Sequence, residues 1–299
     1  MSEPIKVGFC VAYDWQLLSY ALPCVYAEAD TIWISIDNER KTWAGNKYQW
    51  DEFAFNQLIS SIDKLNKIKI YEDNFHSPGC SAGENEVNQR NKLAEKMGHG
   101  GWHVQLDCDE YFLHFGDFVG YLKSIPIKSR PVNVCCALVT LFKQVDSGFL
   151  YVTPSQTEDL EYIQIATRTP NYQYGRRNGY FNMYTNFLIV HQSWARAEEE
   201  IRQKIANWGH NKDFHQNEFL KKWKSLDSSN YRDLINFHPI DKSVWPRLQI
   251  QKSTDITDLI RSFAHVEFPK YKLWQLYFKN SLLISRIIAL FKKFYHKFR

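Results

Sequence analysis

Trp102-His103-Val104-Gln105-Leu106-Asp107-Cys108-Asp109-Glu110 is a short β-prone run that delivers three acids at its carboxyl end. Before it, Glu84 to Met97 reads as a helix with Val87, Asn91 and Ala94 on one side, and Gly98-His99-Gly100-Gly101 stops it, as glycine does past a helix end. Further back, Ile68 to Tyr71, Thr31 to Ile36 and Ile5 to Ala12 are three more strand-like runs, the last apolar enough for a buried parallel strand. Residues 15–28 and 51–66 are helix-compatible, and His76 to Gly83 is a loop with Pro78, Gly79 and Gly83. Strand and helix thus alternate from residue 5 to about 125, which predicts an α/β fold, a mostly parallel sheet with helices on both faces.

The pattern changes after Pro131. Val132 to Phe142, Phe149 to Thr153, Tyr162 to Thr167 and Phe187 to Val190 are strand-like, and Ser193 to Asn207 is charged and helical. An α+β second half built onto the edge of the first sheet follows. No internal repeat, low-complexity tract or Gly/Ser linker divides the chain, so one compact unit is expected rather than two free domains.

Hydrophobic residues make up 44% of the chain and aromatic ones 16%, which excludes a disordered protein. Trp and Tyr in such excess suit sugars, interfaces or membrane head groups. The six cysteines form no CxxC pair or zinc spacing, consistent with a reduced, cytoplasmic setting. Met1-Ser2-Glu3-Pro4 opens without a basic and apolar leader, so no secretory signal is expected. Net charge is +4, but Phe268 to Arg299 holds eight Lys or Arg and no acid; without them 29 of the 37 basic residues face 33 acidic ones. The basic character belongs to the tail.

Residues i and i+2 leaving a strand point to one side, so Asp107 and Asp109 can share a target. In open α/β sheets ligands lie beyond the carboxyl ends of strands. Two carboxylates so placed repel unless a cation lies between them or one takes a proton. Mg²⁺ or Mn²⁺ shared with substrate phosphates satisfies them; a solvated turn is the plainer alternative.

The whole stretch Arg90-Asn91-Lys92-Leu93-Ala94 … Gln105-Leu106-Asp107-Cys108-Asp109-Glu110 resembles family 2-type glycosyltransferases of the GT-A fold, in which an Arg-Asn helix precedes a strand ending in Leu-Asp-x-Asp-Glu. Val7 to Asp14 and Ile32 to Asn38 look like the nucleotide-binding part of that fold. The likeness covers roughly residues 5–125 and, more loosely, the chain to about 215. The first strand ends in Ala-Tyr-Asp and the second in Ile-Asp-Asn, without the family's usual Gly-Ser-rich turn.

The resemblance implies a GT-A-like catalytic domain over residues 1–215, with 1–125 binding the nucleotide-sugar and 126–215 contributing acceptor and metal contacts. Residues 216–267 would be an extension. It also implies a nucleotide-diphosphate sugar donor, Mn²⁺ or Mg²⁺ bridging the diphosphate, and a glycan or lipid-linked acceptor of surface polysaccharide synthesis. Asp14 and Asp37 lie where the family contacts the nucleoside, although Asp14 could equally cap the helix that follows it. Arg90, with Asn91 beside it, could pair with Asp109, approach the diphosphate, or pair with Glu86 one turn back. Asp107 and Asp109 would hold the metal. A third ligand from a returning C-terminal segment points to His191, which leaves a strand ahead of a helix, and next to His210. An inverting enzyme needs a carboxylate to take the acceptor proton; Glu158 and Asp159 match the family's downstream acidic motif, with Glu161 also open.

From Phe268 to Arg299, Trp, Tyr, Phe, Leu and Ile are interrupted by Lys and Arg, leaving no apolar stretch of about 20 residues to cross a bilayer. A basic amphipathic helix at an anionic membrane surface is expected, which places the enzyme at the inner face of the plasma membrane. No motif for nucleic acid accompanies it. Two other function classes compete. A nucleotidyltransferase or phosphohydrolase could use the same carboxylates, although Ala12-Tyr13-Asp14-Trp15 lacks a Gly-rich basic phosphate loop. A non-catalytic glycan- or membrane-binding module would tolerate loss of Asp107 or Asp109.

Overall fold

A computed structural model describes residues 3–127, 130–154, 160–207, 213–242, 244–284 and 287. The elements in chain order are β1 (Ile5–Val11), a 3-10 turn (Trp15–Leu17), α1 (Leu18–Val25), β2 (Thr31–Asp37), α2 (Glu52–Ile62), β3 (Ile68–Asp73), α3 (Ala82–Met97), β4 (Trp102–Asp107), β5 (Glu110–Phe112) and α4 (Phe115–Ser124). The second half adds β6 (Val132–Val145), β7 (Gly148–Thr153), β8 (Glu161–Thr167), β9 (Phe181–His191), α5 (Glu198–Asn207), α6 (Gln216–Ser225), a 3-10 turn (Tyr231–Asp233), β10 (Arg247–Gln251), α7 (Ile256–Phe263) and α8 (Leu273–Lys279).

The expected α/β architecture is the one observed. β4, β1, β2 and β3 lie side by side and parallel, with Cys10 opposite Asp107 and Gly8 opposite both Gln105 and Trp33. One face of β1 and β2, through Val7, Phe9, Ile32 and Ile34, joins a core with Leu18, Leu22 and Phe55 from α1 and α2. The other face carries α3, which packs so closely on β1 that a Cβ at Gly8 would meet Met97 Sδ at 2.9 Å. A capping box fixes where α3 begins: Ser81 Oγ accepts from Glu84 N–H, and Glu84 returns the bond to Ser81 N–H.

The buried face of α3 takes in Ala94 but is centred away from Val87 and Asn91, which are half-buried. Asn85, Gln89, Arg90, Leu93, Ala94 and Met97 face inward, because Gln89 and Arg90 reach polar groups at the strand ends that the apolar pattern does not register. The β-rich half joins the edge of the first sheet where β8 pairs antiparallel with β4, His103 opposite Thr167. β6 then runs antiparallel to β8 and parallel to β9. β9 begins at Phe181, six residues before the apolar run that announced it, since Phe181 to Tyr184 pairs with Val132 to Cys135. The helix expected from Ser193 starts only at Glu198, and the irregular residues before it carry Arg196.

Residues beyond 215 are built into the body. β10 extends the sheet beside β7, and α5, α6 and Trp245 enclose a second core with Phe142, Leu150 and Trp194. In the tail Phe268 and Tyr271 are buried, and Asn280 clips the chain to β9 by exchanging two bonds with the Tyr184 backbone, 2.7 and 2.9 Å. Of the long basic helix expected over 268–299, the described residues include α8 (Leu273–Lys279), a break at 280–281 and helical backbone again at 282–284 and 287; residues 285, 286 and 288–299 lie outside the described part.

Candidate active site

The order β4-β1-β2-β3 contains a reversal. From β1 the chain steps to β2 and β3, then returns to place β4 on the other side of β1, so a crevice opens beyond the carboxyl ends of β1 and β4. A cavity of about 700 Å³ occupies that place, its walls including Asp14, Arg90, Asp109, Glu161, His191 and Lys204. β4 delivers Asp107 there directly. Asp109 follows in the turn before β5, and pairing of β5 with β9 sets His191 opposite Glu110. Gln192 N–H bonds the Asp109 carbonyl at 2.8 Å and holds the turn against β9.

Cationic side chains take the carboxylates. Arg90 Nη2 bonds both oxygens of Asp107 at 2.8 and 3.1 Å, while its Nε bonds Glu86 at 2.9 Å. Arg176 Nη2 adds a bond to Asp107 at 3.0 Å and one to Glu110 at 2.6 Å. Asp109 Oδ2 meets Arg196 Nη2, Lys204 Nζ at 3.1 Å and His191 Nε2 at 3.5 Å. Arg196 also bonds Asp14 Oδ2 at 2.9 Å, so one guanidinium bridges the ends of β1 and β4. Burial alone would raise both Asp carboxyls. Arg90 and Arg176 reverse this at Asp107, and Lys204, His191 and Arg196 hold Asp109 well below the usual carboxylate range.

Of the residues expected at the site, Asp14, Arg90, Asp107, Asp109 and His191 are brought together. Arg90 pairs with Asp107 and Glu86 rather than Asp109. Asp14 makes no side-chain cap to the turn that follows it, so its bridge to Arg196 replaces the capping alternative. Asp37 stands apart from the cavity: it is buried, and its two oxygens accept from the backbone N–H groups of Glu39, Lys41, Phe75 and His76. These bonds tie the loop after β2 to the loop after β3. Asn91 likewise exchanges two bonds with the Tyr172 backbone, 2.8 and 2.9 Å, securing the segment that carries Arg176. Glu158, Asp159 and His210 lie outside the described residues. Glu161, exposed at the start of β8, lines the cavity; the nearby protein raises its carboxyl above the ordinary 4.5, against a smaller opposing effect of His191 and Arg177.

The sequence reading missed Arg176, Arg196 and Lys204. Arg176 follows Gly175, whose φ of +52° turns the chain back at the cavity wall. Tyr174-Gly175-Arg176-Arg177 is a turn signal with two cations, the one local hint available. Arg196 and Lys204 sit within a charged run that reads as a solvated helix.

The divalent ion that the family likeness implies was expected on Asp107, Asp109 and His191. Among the described residues no group of three His, Cys, Asp or Glu side chains converges to hold one. Both Asp carboxylates are already paired with guanidinium or ammonium groups, and an ion entering beside them meets like charge at contact distance. As arranged, this donor set does not fit the ion.

No protein-family model matches the chain, and no curated protein matches it. Among solved structures it is similar to S. aureus TarS 1-349, at 12% identity over 46% of this chain and 36% of that one, with a TM-score of 0.30. A 4-diphosphocytidyl-2C-methyl-D-erythritol synthase is similar at 10% identity over 56% and 74% of the two chains, TM-score 0.33. GalNAc-T7 with UDP, GalNAc and Mn²⁺ is similar at 9% identity over 75% and 52%, TM-score 0.37. The chain thus spans less than two thirds of the TarS segment and of GalNAc-T7. With likeness this low, the functional reading rests on the site's own residues.

Proposed function

We propose that this cleft transfers a sugar from a nucleotide-diphosphate sugar to a glycan or lipid-linked acceptor, as in surface polysaccharide synthesis. The observation that carries the reading is the placement of Asp107, Asp109 and Glu110 at the β1/β4 reversal, inside a cavity large enough for a ligand of that size. In an inverting transfer the bond from the anomeric carbon to the diphosphate oxygen breaks, and its electron pair leaves with the nucleoside diphosphate. The acceptor hydroxyl oxygen bonds that carbon and its proton passes to a carboxylate. Glu161 is the carboxylate proposed for that step. A base with a raised pKa is closer to the working pH and takes a proton more readily. Asp14, at the end of β1, is proposed to meet the nucleoside, and Asp37 and Asn91 to act by holding the surrounding loops.

A thermal shift assay with UDP, GDP and CMP, each with EDTA or with Mn²⁺, tests the reading. One nucleotide is expected to raise the melting temperature by several degrees at about 100 times its Kd, since that occupancy adds about 2.7 kcal/mol. No shift with any nucleotide under either condition defeats it.

We further propose that the tail docks on an anionic membrane surface. Among the described residues no helix is long and apolar enough to cross a membrane, but Trp274, Tyr277 and Phe278 are exposed on α8 beside Lys270, Lys272 and Lys279, a composition suited to lipid head groups. Trp274→Ser with Phe278→Ser should lower sedimentation with phosphatidylserine-containing vesicles about tenfold or more while leaving the melting temperature in place. Vesicle binding equal to the unsubstituted chain's would overturn the docking role. Truncation at Phe268 is a poorer test, because Phe268 and Tyr271 belong to the core.

A further inference from the structure

Lys204 reaches from α5 to Asp109 Oδ2 at 3.1 Å, the place on that carboxylate where a divalent ion would be sought. Its ammonium carries three N–H donors, and among the described residues Asp109 is its one hydrogen-bond acceptor. The side chain is 14% exposed and lines the cavity, with its ammonium 5.8 Å from the Trp194 ring centroid, so it borders the space a ligand would fill. Arg177, an exposed residue, lines the same cavity, as does His191.

Below this open layer, Arg90, Arg176 and Arg196 are almost wholly buried and neutralise Asp107, Glu110, Asp14 and Asp109 from the protein side. Asp107 and Asp109 are therefore not the uncompensated pair that calls in a dication. Arginine suits the buried positions, being always charged and forked, whereas the compact ammonium of lysine is a point charge that can serve a carboxylate and a phosphate together.

We propose that Lys204, seated on Asp109 and assisted by Arg177, binds the donor diphosphate in place of a divalent ion, so that nucleotide binding by this chain is metal-independent. The inference rests on the nucleotide-sugar reading above and deepens it. The ammonium and guanidinium would offset the negative charge that grows on the nucleoside diphosphate as the sugar leaves.

The test is calorimetric titration of the full chain with UDP and GDP, in EDTA and in Mn²⁺, alongside Lys204→Met and Lys204→Arg. The expected result is that one nucleotide binds the unsubstituted chain with a Kd that agrees within about twofold in EDTA and Mn²⁺. Lys204→Met should weaken binding in EDTA by about tenfold or more, the loss expected for one charge-assisted bond, and Lys204→Arg should recover most of it. Lys204→Met leaves the buried Asp109 with one cation fewer and should lower the melting temperature, whereas Lys204→Arg should hold it, so titrations are run well below the transition of each variant. Binding at least about tenfold tighter with Mn²⁺ than with EDTA overturns the proposal and leaves the transferase reading standing. Lys204→Met binding as tightly as the unsubstituted chain in EDTA also overturns it. Absence of UDP and GDP binding under both conditions overturns it as well, and if CMP is also silent in the thermal assay the transferase reading falls with it.

Discussion

Arg196→Met is expected to lower the melting temperature by about 10 °C. Arg196 is 6% exposed and bonds Asp14 and Asp109 at once. Methionine fills part of the volume but leaves two enclosed carboxylates without this cation, and breaking a buried pair from one side costs about 3–5 kcal/mol. At about 2–4 °C per kcal/mol for a chain of this size, the deficit is large in differential scanning calorimetry. Arg202→Met makes the control. It removes an exposed pair with Glu198, worth about 0–1 kcal/mol. The pH dependence follows from the sign of the Asp109 shift. Its folded pKa lies below the ordinary 3.8, so its contribution is present above 3.8 and is lost as pH falls through the depressed value. With one cation removed there is less to lose, and the two melting curves should converge in acid. A melting temperature for Arg196→Met within about 2 °C of the unsubstituted chain at neutral pH would show that the bridge carries little of the fold.

The second large effect is catalytic. Once the binding assays identify the donor, Glu161→Gln should lower kcat by about 10²–10⁴-fold, the range for loss of a positioned general base, with the donor KM little changed. The surrounding protein raises the Glu161 pKa above 4.5, while the side chain stays open to the cavity and solvent. The ionised base therefore accumulates as pH rises through that higher value, and the acid limb of the rate profile should lie above 4.5 and disappear in the glutamine variant. Stability runs the other way. The neutral form's advantage is full below 4.5 and is lost as pH rises through the folded value, so Glu161→Gln should be neutral or slightly stabilising at pH 7. Retention of kcat within about threefold would remove Glu161 from the mechanism.

The parallel half was legible in the sequence because its signals are local. Buried strands are short apolar runs, Gly98 to Gly101 stops α3, and Asp107 and Asp109 follow the last apolar residue of β4. The cations were not legible, because their meaning depends on partners far along the chain. Arg176 lies 69 positions from Asp107, and Arg196 lies 87 from Asp109. Arg196-Ala197-Glu198-Glu199-Glu200 reads equally well as a solvated helix start, and only the turn out of β9 aims Arg196 inward. Asp37 shows the same limit from the other side. An acid at a strand end can meet a ribose hydroxyl or a backbone N–H, and the Phe75 N–H that bonds Asp37 here comes 38 residues later in the chain. Phe181 to Tyr184 was missed as strand because its residues face partly outward and lack an apolar run; pairing with β6 supplies the order.

The bridge from Arg196 to Asp14 also bears on synthesis, since it joins positions 182 residues apart. At about 5–20 residues per second, Asp109 emerges on the order of ten seconds before Lys204, 95 residues later. Early in that interval Arg90 already accompanies Asp107, but Asp14 and Asp109 lack Arg196 and Lys204, and the β4 edge stays bare until β8 is made. Such edges invite non-native pairing, and contacts this distant in sequence form slowly. The cleft is thus among the last parts of the molecule to form, and a chain released before β8 would present an acidic, open-edged half that is a substrate for chaperones and proteases.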